Sequence, residues 1–108
     1  MINVLIIKNK QDIISIEATG HSGYAEAGSD IVCSAVSILM QNLAVGLTEV
    51  VKLSPEIKVD EEIPHMYISL KECDNAHAKT LMQTTALSLK EVAKGYSKFI
   101  KIKEKQND

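Results

Sequence analysis

Ser29-Asp30-Ile31-Val32-Cys33-Ser34-Ala35-Val36-Ser37-Ile38-Leu39-Met40-Gln41-Asn42-Leu43-Ala44-Val45-Gly46-Leu47-Thr48-Glu49-Val50 decides the fold. Val32, Val36, Leu39, Leu43, Leu47 and Val50 recur at three- and four-residue spacing, which is a helix with one apolar stripe. Ser29 or Asp30 is a suitable N-cap, and Pro55 bars continuation after Lys52. Upstream, Ile2–Lys8 and the β-branched run Ile13–Thr19 flank the polar turn Asn9–Asp12 and read as a hairpin. Downstream, Glu56–Glu61 and His65–Lys71 read as two more strands, joined through Ile63-Pro64. A second helix is expected from about Asn75 to Lys94, with Ala78, Met82, Thr85, Ala86, Leu89 and Val92 on one face and Gly95 as its stop. Ser97–Lys103 closes the pattern as a strand. The order is β-β-α-β-β-α-β. It implies an α+β fold: one domain over residues 1–108, in which two amphipathic helices cover a largely antiparallel sheet or lie between two sheets.

Composition limits the functional classes. The chain has 108 residues, 45% of them hydrophobic, enough for one core without disulfides or metals. A net charge of −2 and 4% aromatic content argue against a nucleic-acid reader, which needs a basic surface or stacking side chains. The basic stretch Lys98–Lys105 alternates with Phe99, Ile100 and Ile102 and reads as the solvated face of a strand. The opening Met1–Lys8 reads as a strand and not a signal peptide, and no run approaches the length of a membrane span, so no membrane partner is expected. Cys33 and Cys73, forty residues apart, read as reduced thiols of a cytoplasmic protein.

Reactive side chains gather between Gly20 and Ser37. Cys33 falls near the start of the first helix, where unpaired N–H groups and the helix dipole favour a thiolate. At ~100° per residue, Asp30, Cys33 and Ser37 share a wedge roughly 60° wide that points away from the Val32/Val36/Leu39/Leu43 stripe. His21 ends a strand with eleven residues between it and Cys33, across a loop whose glycines Gly20, Gly23 and Gly28 let it fold back. A cysteine with an imidazole in reach is a nucleophile with its base. Asp30 reads either as a helix cap or as the group that orients the imidazole. Ser37 reads as a donor to the sulfur or as a small helix residue. Cys73-x-x-x-His77, with His65 nearby, supplies too few ligands for a zinc site, so neither metal nor cofactor is expected.

Gly20-His21, a glycine-rich loop and then Asp30-Ile31-Val32-Cys33-Ser34-Ala35-Val36-Ser37 resemble the signature of the ribosomal-processing cysteine protease family, Prp. The motif covers about eighteen residues, and the length and element order fit the family from end to end. The resemblance implies a cysteine endopeptidase with Cys33 as nucleophile and His21 as base, and Gly20, Asp30 and Ser37 in support. It further implies a substrate, the short hydrophobic N-terminal extension of large-subunit ribosomal protein twenty-seven, cut after a pair of aromatic residues. A homodimer also follows from it, and the glycine-rich loop, Ser22–Ser29, reads on its own composition as a lid that opens for the substrate. Two other readings remain at this point: a noncatalytic ribosome-associated binding protein, and a redox sensor in which Cys73 resolves an oxidised Cys33.

Overall fold

The computed structural model describes residues 1–20, 29–60 and 65–107, with Ser29 and Asp30 described in backbone only. Five strands and two helices appear in the expected order: β1 (Ile2–Asn9), β2 (Asp12–Thr19), α1 (Ser29–Val45), β3 (Glu56–Asp60), β4 (His65–Ser69), α2 (Ala76–Gly95) and β5 (Ile100–Gln106). The expected turn through Ile63-Pro64 lies outside the described residues. The strands form one sheet in the order β3-β4-β2-β1-β5, in which only the β1–β5 pair is parallel. Each helix is a crossover between parallel strands. α1 carries the chain from β2 past β4 to β3, and α2 carries it from β4 past β2 and β1 to β5.

Both helices share one core with one side of the sheet. Val4, Ile6, Ile16 and Ile68 from the strands meet Val32, Val36, Met40 and Leu43 from α1 and Met82 and Leu89 from α2. Each such side chain contributes about 1.5–3 kcal/mol when fully buried. The helices therefore cover a single sheet and do not lie between two. Asn75 caps α2, its Oδ1 accepting from the backbone N–H groups of His77 and Ala78.

Four expectations change. First, α1 passes into a π-helical turn, Gly46–Val50, in which the Val51 N–H donates to the Gly46 carbonyl. The wider turn breaks the 3.6 periodicity, so Leu47 is wholly buried but Val50 is 75% exposed. Gly46 has a packing role there, because a Cβ on it would stand 2.9 Å from Leu81 Cδ1 of α2. Second, the last strand starts at Ile100 and not Ser97. Residues 97–99 form a turn whose Phe99 N–H donates to the Tyr96 carbonyl. Third, α1 starts at Ser29, so Cys33 is its fifth residue and stands in the second turn, where the dipole is already weaker. Fourth, Ile31–Val50 is by length and composition a helix that could cross a membrane, contrary to the reading that no run approaches a span. Its Val32, Val36, Met40, Leu43 and Leu47 fill the core of this fold.

Leu47→Ala and Met82→Ala should each lower unfolding stability by about 2–5 kcal/mol, measured by urea denaturation. Asn75→Ala should cost about 1 kcal/mol.

Candidate active site

The helix-facing side of the sheet ends in a cavity of about 460 Å³. Ile2 of β1, Ala18 of β2, Met66 of β4 and Val59 of β3 form one wall, and Val36 and Met40 of α1 form the other. Along the rim of α1 stand Cys33, Ser37 and Gln41, spaced four residues apart and so stacked on one line of the helix. Cys33 is half-buried and packs against the edge of the core. Ser37 is exposed, and its Oγ accepts a hydrogen bond from Gln41 Nε2 at 2.8 Å.

This placement corrects the wedge reading. Met40 was absent from the expected apolar stripe, yet it is fully buried. On a helical wheel it lies only about 20° from Cys33, so the core reaches the cysteine's flank. The sulfur is therefore at the boundary between core and cavity, and not opposite the core. Gln41 was also missed, although its i+4 spacing from Ser37 is a readable signal.

Gly20 sets where the chain leaves β2. It adopts φ +99°, a region that side chains disfavour, and a Cβ on it would stand 2.5 Å from the Met1 carbonyl oxygen. Thr19 and Gly20 both line the cavity, at the end of β2 that precedes His21 in the sequence. His21 itself, the loop Ser22–Gly28 and the side chain of Asp30 lie outside the described residues. The roles expected of them are neither met nor contradicted by geometry.

His65 also borders the cavity, and its Nε2 lies 2.7 Å from Glu17 Oε2. Strand alternation assigns that pair to another task. Ala18, Met66 and Ile68 face the helices, so Glu17, His65 and Tyr67 project from the opposite side of the sheet. The pair clamps β2 to β4 across the sheet. On the same side, Lys58 Nζ sits 5.5 Å from the Tyr67 ring centre.

Neither cysteine is in a disulfide. Cys73 is buried, and desolvation, with the Asp12 carboxylate second, pushes its thiol above the ordinary range. Asp12 and Thr19 are the two ends of β2, roughly 20 Å apart at strand rise. Cys73 thus belongs to the far end of the sheet from Cys33, well beyond the reach of a disulfide. The redox-sensor reading fails on that distance. Among the described residues, no cluster of three or more His, Cys, Asp or Glu could hold a metal ion.

Two outcomes follow from this geometry. Iodoacetamide near pH 8 should alkylate Cys33 well before Cys73, read by peptide mass mapping; faster labelling of Cys73 would contradict the placement. Gly20→Ala should lower stability by roughly 1–3 kcal/mol in denaturant titration, because both the backbone angle and the Met1 contact must yield.

Comparison with known proteins agrees over nearly the whole chain. The family model for cysteine protease Prp matches residues 1–101. The ribosomal processing cysteine protease Prp of Staphylococcus aureus is 29% identical over 109 residues, covering 97% of this chain and 100% of that protein. A crystal structure of a Streptococcus mutans protein superposes with a TM-score of 0.90 at 30% identity, covering 99% of this chain and 96% of the other. The S. aureus ribosomal processing protease Prp with a covalently linked product peptide superposes with a TM-score of 0.87 at 25% identity, covering 97% and 100%. These matches remove the noncatalytic binding protein as a reading. With a cysteine on the wall of a cavity at the strand end that leads into Gly20-His21, the chain belongs to the Prp family of ribosomal processing cysteine proteases.

Proposed function

We propose that this protease removes the short hydrophobic N-terminal extension of large-subunit ribosomal protein twenty-seven, with Cys33 as nucleophile and His21 as base. The observation that carries the reading is the position of Cys33 on the rim of an apolar cavity. A scissile carbonyl held at the rim leaves the adjoining apolar side chains of the substrate over Ile2, Val36, Met40 and Met66, which suits an extension cut after aromatic residues. The name of the S. aureus relatives, ribosomal processing protease, supports the substrate class.

The chemistry balances with these two groups. His21 takes the Cys33 proton, and the sulfur adds to the scissile carbonyl, forming a C–S bond and an oxyanion. Backbone N–H groups near Cys33 stabilise that oxyanion. Protonated His21 then gives its proton to the leaving amine as the C–N bond breaks, leaving a thioester. His21 finally takes a proton from water, whose oxygen displaces the sulfur. Gly20 and Asp30 support the placement of His21. Ser37, linked to Gln41, borders the sulfur's side of the helix. The enzyme acts as a cytoplasmic homodimer.

The test incubates the extended ribosomal protein with the enzyme and follows intact masses. Wild type should release the extension at one bond. Cys33→Ala should abolish the cut, and His21→Ala should slow it by about 10²–10⁴. Retained cleavage in Cys33→Ala would overturn the site, and an intact wild-type digest would overturn the substrate. Light scattering should give twice the chain mass; a monomer would overturn the dimer.

A further inference from the structure

The two edges of the sheet differ in chemistry. β5, at one edge, carries Lys101, Lys103 and Lys105 at alternate, exposed positions, a pattern that discourages pairing with another strand. β3, at the other edge, is exposed along all five residues, and its apolar Ile57 and Val59 are 38% and 60% exposed. Val59 also lines the cavity that holds Cys33.

Hydrogen-bond alternation shows where the β3 backbone points. The Leu70 N–H donates to the Ile14 carbonyl, in register with the β2–β4 ladder. In antiparallel pairs a residue directs both its N–H and its C=O to one neighbour, and the next residue directs both to the other side. Leu70, Ile68 and Met66 therefore bond toward β2, and Ser69, Tyr67 and His65 bond toward β3. Their opposite residues in β3 are Glu56, Lys58 and Asp60. Ile57 and Val59 are left with both backbone groups directed outward, and among the described residues no strand meets them.

Resting on the protease reading above, we infer that the substrate binds by strand addition to the outer edge of β3, bonding to the backbone of Ile57 and Val59. Alternate side chains of the added segment then fall on the face that Val59 and Met66 share, above the cavity. Main-chain bonds supply affinity for any extended segment, and the cavity selects apolar side chains. The mode explains why an edge without lysine on its helix-facing side is kept next to the nucleophile. The occupant is an extended apolar peptide, and a second copy of the chain pairing edge to edge is the alternative outcome.

Amide hydrogen exchange on Cys33→Ala tests the inference, with a peptide spanning the extension and its cut site. Ile57 and Val59 amides should slow at least tenfold on adding peptide, whereas Lys58, already bonded to β4, should not change. Val59→Pro removes one outward donor without touching the β3–β4 ladder. It should raise KM about tenfold against Val59→Ala, with kcat within twofold. A peptide that binds without slowing these amides, or a proline variant with the KM of the alanine variant, overturns the strand addition while cleavage stands. Slowing that depends on protein concentration and not on peptide assigns the edge to a second copy and also overturns it. Failure of wild type to cut the extended ribosomal protein overturns the substrate reading instead.

Discussion

Everything at the site depends on how the buried stripe of α1 seats on the sheet. Val32, Val36, Met40, Leu43 and Leu47 are almost wholly excluded from water. A rotation of the helix by one residue would expose several of them at about 1.5–3 kcal/mol each. That cost holds the helix's angle about its own axis. Cys33 follows from it: with Val32 and Val36 committed to the core, the sulfur can stand only at the core's flank. The cavity follows as well, because Val36 and Met40 complete a wall begun by Ile2, Ala18 and Met66. The same burial that stabilises the domain therefore sets where Cys33 stands.

The second constraint is the exit from β2. Hairpin pairing with β1 holds Thr19 opposite Asn3, and Gly20 must then turn beneath the Met1 carbonyl with a positive φ. Only glycine meets both demands without strain. This turn puts Gly20 itself on the lining of the cavity. Helix packing positions Cys33 and a backbone turn positions Gly20, so these two cavity residues are held by different physics.

Much of this was legible in the residues. Period 3.6 over Val32–Leu47 and the β-branched run Ile13–Thr19 were the clearest marks of the element order, and the Gly20-His21 to Ser37 motif pointed to the family. The failures have physical causes. Val50 was assigned to the stripe because a π-helical turn leaves no mark in a hydrophobic pattern. Met40 was left out because spacing arguments favour a narrow stripe, whereas a helix pressed between a sheet and another helix buries a wider arc. Cys73 was offered as a partner for Cys33 because distance along the chain says nothing of distance along β2. The outward backbone of Ile57 and Val59 was illegible for a similar reason. It depends on which side of β4 is taken by β2, a fact of sheet order and not of sequence.

The central claim is that Cys33, and no other group, attacks a carbonyl held over the apolar cavity. The most direct measurement uses a peptide of the extension with an electrophilic ketone in place of the scissile amide, followed by digestion and mass mapping of the adduct. A single adduct on Cys33, lost when unmodified extension peptide competes, is the predicted result. An adduct on Cys73, or on Cys33 without competition, would contradict it.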